Sequence, residues 1–208
     1  MLFHPHTVQT RTLTPLGAVR LAATPQGLSG LWFEGQRHEP SHWLHGPDAW
    51  AETPDHPVLR EATEQLQQYL QGERVAFDLP LDLSGGTVFQ QAVWHALLAI
   101  PRGEPTSYAA LSAQIGRPRA VRAVGAAVGR NPLSIIVPCH RVVGSDGSLT
   151  GYAGGLDRKK TLLVLENTRL PALCKNNGNN GNNSGDSHRN RTFDHVDDRI
   201  DRHRKGSA

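Results

Sequence analysis

The run Ile135-Ile136-Val137-Pro138-Cys139-His140-Arg141-Val142-Val143 constrains this chain more than any other stretch. Three apolar residues read as a buried strand, a proline ends it, and a thiol, an imidazole and a guanidinium follow in succession. A thiol at its ordinary pKa is mostly protonated near neutrality, so a reactive Cys139 needs a base or positive surroundings. Adjacent residues of a straight strand point to opposite faces. Either the chain turns at Pro138, or a water carries the proton between Cys139 and His140. A buried acid then has to orient His140, and Glu166, at the end of an otherwise apolar helix, is the candidate.

The formal net charge of +3 conceals an asymmetry. Residues 1–116 hold six arginines against eleven acids, whereas residues 117–160 hold eight basic residues against two acids. The basic block surrounds Cys139, which points to a polyanionic partner; the plain alternative is a solvated basic face. Only two cysteines are present, Cys139 and Cys174, far apart in the chain. They make no disulfide framework, and free thiols fit a reducing compartment. No apolar run approaches the roughly 20 residues of a spanning helix. Met1 to Leu13 lacks the order of a secretory signal, so a cytoplasmic location is expected.

From Val8 to Phe33, short alternating segments are separated by Thr-Pro-Leu-Gly and Thr-Pro-Gln-Gly, which predicts a small antiparallel sheet with tight turns. Residues 34–56 show no periodicity and are expected to be loop. His4, His6, His38, His42, His45 and His56 have no regular ligand spacing and no cysteine among them, so no metal site is expected. Val58 to Gln71 places Val58, Leu59, Ala62, Leu66, Tyr69 and Leu70 on one helical face that should cover the sheet, with Gly72 as its stop. Arg74 to Leu83 reads as extended, and Ser84-Gly85-Gly86 as a linker. The expected division is 1–85, 86–173 and a disordered tail, 174–208, whose Asn/Gly repeat and charged remainder hold few apolar residues.

In the second part, Thr87-Val88-Phe89-Gln90 has capping-box form, with Phe89, Val93, Leu97 and Ile100 following at helical spacing up to Pro101. A short capped helix from Thr106 to Gly116 is followed by Pro118, expected to open a helix over Arg119–Val128. Two short helices joined by a Gly-containing turn, the second rich in Arg, form a helix-turn-helix pattern. The Ala and Gly residues of the second helix suit either close approach to a nucleic-acid groove or tight helix packing. Gly144-Ser145-Asp146-Gly147 reads as a turn and Gly151-Tyr152-Ala153-Gly154-Gly155 as a loop that brings N–H groups to a ligand. Asp157 is expected to cap a last helix, Arg158 to Glu166.

Pro138-Cys139-His140-Arg141-Val142, followed by Gly151-Tyr152-Ala153-Gly154-Gly155 and preceded by Arg122-Ala-Val-Gly and Asn131-Pro132, resembles the O6-alkylguanine-DNA alkyltransferase family, in its constitutive bacterial branch. The resemblance is strong from Phe89 to Glu166, weak over the N-terminal sheet, and absent after Leu173. It implies an α+β fold: a ribonuclease H-like N-terminal sheet with a covering helix, then a mostly helical, winged-helix-like half. It also implies transfer of an alkyl group from O6 of guanine, and from O4 of thymine, to Cys139.

By the same resemblance His140, through a water, and Glu166 form the activating relay. Tyr108 hydrogen-bonds the flipped base and protonates the leaving guanine, Asn131 braces the turn, and Arg122 enters the duplex in place of the extruded nucleotide. The DNA-binding surface would comprise Arg119, Arg122, Ala123, Ala126, Ala127, Arg130 and Tyr152. The base pocket would comprise Val142, Tyr152, Ala153, Gly154 and Lys159. Extrusion is required because the alkylated oxygen lies within the stack, and phosphate contacts of the basic block would supply sequence-independent affinity. The family places its helix-turn-helix in the minor groove, where the small residues of 119–129 suit the narrower space. Some members hold zinc through N-terminal cysteines; none stands there in this chain, so no metal or cofactor is expected. Ala153 stands where some members have serine. The thioether product is stable, which implies a single-turnover monomer acting on double-stranded DNA. A binder of alkylated DNA without chemistry would not need Cys139, a regulator would need a further metal domain, and a cysteine hydrolase would need a base remote in sequence.

Overall fold

The computed structural model describes residues 4–168. Strands β1 (Val8–Thr14), β2 (Gly17–Thr24) and β3 (Gly27–Phe33) form an antiparallel meander. Its turns are the two Thr-Pro-x-Gly segments. In each, the threonine hydroxyl accepts the N–H two residues on, from Leu16 at 3.1 Å and from Gln26 at 3.2 Å. This side-chain turn is what Ser and Thr offer the backbone in place of a ladder bond. Gly17 and Gly27 then close the turns at φ of 110° and 147°, which an L side chain resists.

A two-residue strand, β4 (Ala51–Glu52), adds to β1 in parallel, so the sheet is mixed, in the order β3-β2-β1-β4. It and a short helix, α1 (Ser41–His45), lie in the stretch expected to be loop. Indole packing orders that stretch: Trp43 stacks on Trp50 at a centroid distance of 6.1 Å, and Trp50, Trp32, Leu44 and Ala22 form a buried cluster on one face of the sheet. Helix α2 (Pro57–Gln71) covers the opposite face with Leu59, Ala62, Leu66 and Tyr69, and Gly72 ends it at φ 81°. Leu59 and Leu66 are fully buried. Each contributes about 2 kcal/mol by transfer from water, so packing rather than propensity holds the helix in place.

The outer edge of β3 is covered by the second half of the chain. Leu31 N–H donates to the Pro132 carbonyl at 2.8 Å, and Ser134 N–H donates to the Leu31 carbonyl at 2.9 Å. Further along, Leu28 exchanges bonds of 2.8 Å with Pro80 and Asp82, an isolated bridge that ties the extended segment before residue 84 to β3. All seven residues of β3 are buried. The edge is thereby removed from solvent, and the segment that leads to Cys139 is held in register with the N-terminal sheet.

Helix α3 (Val88–Leu98) opens with the expected capping box between Thr87 and Gln90. Strand β5 (Thr106–Ser107) leads into α4 (Tyr108–Gln114), whose first turn is capped by the Ser107 hydroxyl, and Gly116, at φ 70°, turns the chain toward α5 (Val121–Gly129). Pro118 does not open α5. Arg117 N–H is held by the Ser112 carbonyl at 2.9 Å, which keeps residues 117–120 in a turn and delays the helix to Val121. Helix α6 (Leu156–Leu165) starts after Gly155, not after Asp157; the aspartate lies inside the first turn, where its charge suits the positive end of the helix.

The run 135–137, read as a buried strand, is not one. Ile135 takes φ 72°, and residues 131–137 form a single bridge with β3, Leu31–Leu133, before curling into a 3₁₀ turn, Cys139–Arg141, and strand β6 (Val142–Val143) beside β5. An apolar run reports burial, not which buried conformation the chain adopts. One core passes through Leu31, Leu59, Trp94, Val124, Val137 and Leu162, so the halves on either side of Ser84-Gly85-Gly86 share it. A small sheet with a covering helix, then a helical half, make the fold α+β. The tail with Cys174 lies outside the described residues.

Candidate active site

Asn131 stands two residues after the end of α5 and organises the turn. Its amide donates to the carbonyls of Leu133 (3.3 Å) and Val137 (2.8 Å) and to Cys139 Sγ (3.1 Å), while its Oδ1 accepts Leu133 N–H at 3.0 Å. The buried loop with its left-handed Ile135 is held by this amide together with backbone bonds from Ile136 N–H to Ser134, Val137 N–H to Leu133 and Cys139 N–H to Val137. Pro138 then turns the chain, and Cys139, His140 and Arg141 are all buried.

The chain therefore turns at Pro138, yet neither ring nitrogen of His140 hydrogen-bonds the sulfur. His140 Nε2 lies 2.7 Å from Glu166 Oε1, and its Nδ1 is buried without a partner among the described residues. With Nε2–H donating to the carboxylate, Nδ1 carries the lone pair and is the free base of the site. Burial pushes the imidazole below its ordinary pKa, only partly offset by Glu166. Burial also pushes the Cys139 thiol up, against the Asn131 hydrogen bond and the Lys159 charge. Both shifts favour the neutral forms of the thiol and the imidazole.

Glu166, the acid expected from the sequence, is buried at the end of α6. Burial alone would raise its pKa, but hydrogen bonds from His140 and Arg141 outweigh that and hold it well below the usual carboxylate range. Arg141 donates from Nε to Oε2 at 2.8 Å and from Nη2 to Oε1 at 3.1 Å. The Tyr69 hydroxyl, from α2, also donates to Oε1. Neither residue was assigned a role in the relay from the sequence. The sequence places Arg141 inside the motif and in the basic block, and Tyr69 on the core face of a helix. A buried tyrosine hydroxyl seeks a partner, but the sequence does not say which.

The thiol lies at the floor of a cleft of about 520 Å³ bounded by Tyr108, Gly125, Ala126, Arg130, Gly151, Tyr152, Ala153 and Leu156, with Arg37 and His38 at its rim. Tyr108 is brought there because β5 pairs with β6, so the first residue of α4 emerges beside the Cys139 turn. Its hydroxyl donates to the Gly151 carbonyl at 3.4 Å, and burial raises its pKa, which keeps it protonated. Gly154 is wedged between Phe33 and Tyr152, where a Cβ would meet each at 2.9 Å. Arg37 N–H donates to the Ala153 carbonyl at 3.1 Å, a contact from the N-terminal half that fixes the loop.

Three residues assigned to the base pocket lie behind it instead: Val142, Gly154 and Lys159 are buried and line none of the cleft. Lys159 donates to the carbonyls of Val142 and Thr150, both at 2.6 Å, and Gly151 at 3.4 Å, so it straps the loop to the Cys139 turn. Burial brings its pKa down to about 8, against the opposing pull of Cys139. On the outer surface, Arg119, Arg122, Ala123, Ala126 and Arg130 are exposed, in a row along α5 and its flanks. Ala127 is not part of that surface. It packs into the core, where its carbonyl accepts the Trp94 indole N–H at 2.9 Å. No cluster of His, Cys, Asp and Glu that could hold a metal occurs among the described residues.

Two family models match the chain. The 6-O-methylguanine DNA methyltransferase ribonuclease-like domain covers residues 8–83, and the DNA binding domain of the same name covers residues 88–168. The methylated-DNA–protein-cysteine methyltransferase of Mycobacterium bovis is 49% identical over 168 residues, 79% of this chain and 96% of the relative. A crystal structure of Mycobacterium tuberculosis O6-methylguanine methyltransferase superposes with a TM-score of 0.68 at 47% identity, over 80% of this chain and 96% of that one. A structure of Mycobacterium tuberculosis OGT in complex with DNA gives 0.68 at 45% identity over the same shares. Since the two models together span most of the described chain and the relatives are nearly half identical over four fifths of it, this chain belongs to the 6-O-methylguanine DNA methyltransferase family.

Proposed function

We propose that the protein removes alkyl groups from O6 of guanine, and from O4 of thymine, in double-stranded DNA by one displacement at Cys139. At the coarser level it is a DNA-repair methyltransferase that carries an alkyl group from DNA to a cysteine. The observation that carries the finer reading is the buried Cys139 sulfur held by Asn131 at the cleft floor, with the unpartnered lone pair of His140 Nδ1 on the same 3₁₀ turn.

In the step itself, the S–C bond forms as the C–O bond of the lesion breaks. The thiol proton passes through a water to His140 Nδ1, and the imidazolium is stabilised by Glu166. The electron pair of the broken bond stays with guanine, which takes a proton from the Tyr108 hydroxyl; His140 and Tyr108 then exchange with solvent. The base reaches the cleft only by leaving the stack, and the exposed Arg122 fills the gap in the duplex. The product thioether has no route back to a thiol, so each molecule acts once, as a monomer in the cytoplasm. The alternative, a binder of alkylated DNA that passes lesions to another pathway, leaves the Cys139 turn without a task.

Duplex DNA carrying O6-methylguanine, incubated with the protein and followed by intact mass and peptide mapping, tests this. One methyl group per chain, on Cys139, is the expected result. Binding without an adduct, or methyl loss from DNA in excess of protein, rejects it.

A further inference from the structure

We infer that Tyr69, a residue of the N-terminal helix α2, is a positioning residue of the transfer chemistry: by donating to the same Glu166 oxygen that His140 uses, it sets how strongly that oxygen holds His140. The inference rests on Cys139 being the acceptor.

The geometry supports a role beyond packing. Among the described residues, Glu166 Oε1 receives three donors, His140 Nε2 at 2.7 Å, Arg141 Nη2 at 3.1 Å and the Tyr69 hydroxyl, whereas Oε2 receives only Arg141 Nε at 2.8 Å. Tyr69 and Glu166 are both buried, so no bulk water competes for the oxygen. A carboxylate oxygen that accepts several hydrogen bonds has less density to offer each one. Tyr69 thus weakens the pull of Glu166 on the His140 proton and keeps the imidazole neutral and able to accept from Cys139. The ring is itself fixed, against Phe77 at a centroid distance of 4.8 Å and beneath the Arg102 guanidinium at 5.3 Å; Arg102 also donates to the Leu165 carbonyl at 2.9 Å, next to Glu166. The ionisable groups that face this carboxylate and imidazole from the surrounding elements are therefore Tyr69 from α2, Arg102 after α3, Cys139 and Arg141 from the 3₁₀ turn, Tyr152 from the loop and Lys159 from α6. Among them only Tyr69 is an uncharged donor on the oxygen shared with His140.

Tyr69→Phe keeps the ring and removes the donor. Two readouts are compared with the wild type: the titration of the His140 imidazole by NMR in the free protein, and the pH profile of transfer from free O6-benzylguanine, which needs no base flipping. The expected result is a rise of about half a unit or more in the His140 midpoint, with the acid limb of transfer moving up by the same amount. Tyr69→Leu, which also loses the ring, should fall further in rate at every pH. Coincident midpoints for wild type and Tyr69→Phe overturn the inference, even if the variant is slower. A wild-type protein that acquires no adduct on Cys139 overturns the transfer reading instead, and the NMR titration still reports whether Tyr69 acts on His140.

Discussion

Asn131 Nδ2 stands 3.1 Å from Cys139 Sγ while the same amide group holds the Val137 carbonyl at 2.8 Å, so one side chain both shapes the turn and faces the nucleophile. Asn131→Ala leaves the buried Leu133 N–H without its partner and takes one of two donors from the Leu133 and Val137 carbonyls, at a cost of about 1–3 kcal/mol. It also removes an interaction that favours the thiolate. Thermal denaturation should show the loss, and titration of the Cys139 thiol should show a higher pKa. An unchanged thiol pKa would confine Asn131 to the fold.

Cys139→Ala removes the acceptor and little else, because the sulfur is buried among groups that already have other partners. Transfer should be abolished while affinity for duplex DNA stays within a factor of about two, since affinity comes from phosphate contacts. Residual transfer, measured by loss of O6-methylguanine from DNA, would show that the acceptor lies elsewhere.

Glu166→Gln deprives Arg141 of its charged partner inside the protein and turns a group that accepts from His140, Arg141 and Tyr69 into a mixed donor and acceptor. Breaking a buried pair from one side costs about 3–5 kcal/mol, a large share of the stability of a domain of this size. Chemical denaturation should register that loss, and transfer should fall by at least about tenfold. A variant as stable as the wild type would mean that solvent reaches this network.

Arg122 is exposed on α5 and touches none of the cleft. Arg122→Ala should therefore slow transfer from duplex DNA strongly and leave transfer from free O6-benzylguanine within about twofold, because only the duplex requires extrusion. Equal losses on both substrates would place Arg122 in the chemistry or in the fold, not in flipping.

Acid should weaken the protein in two windows. His140 is held below its ordinary pKa, so the unfolded chain binds a proton that the folded one refuses, and stability declines as pH falls below about 6.5. The Glu166 carboxyl is also depressed when folded; its contribution is complete above about 4.3 and is lost as pH falls below that value. Melting temperature followed against pH should show both declines, and His140→Gln should remove the upper one and shrink the lower, because His140 helps hold the Glu166 carboxyl down.

Much of the site was legible because its chemistry is local in sequence. Cys139, His140 and Arg141 are contiguous, Asn131 and Gly151 to Gly155 lie close by, and a carboxylate at the end of an apolar helix is conspicuous. The Thr-Pro-x-Gly turns, the capping box at Thr87 and the stop at Gly72 were equally plain, since each is decided by interactions within four residues.

What tertiary structure decided is what depends on partners remote in the chain. Whether Ile135 to Val137 would be a strand was settled by β3, whose bridge stops at Leu133, and by the turn that Ser134, Leu133 and Asn131 close around Ile136 and Val137 instead. Ala127 was sent into the core by Trp94. Lys159 became a strap behind the pocket because three carbonyls converge on it. The place of Tyr69 on Glu166 joins residues 97 positions apart. Local sequence specifies which groups need partners; only the packing of α2, β3 and α6 around one core specifies which partners they meet.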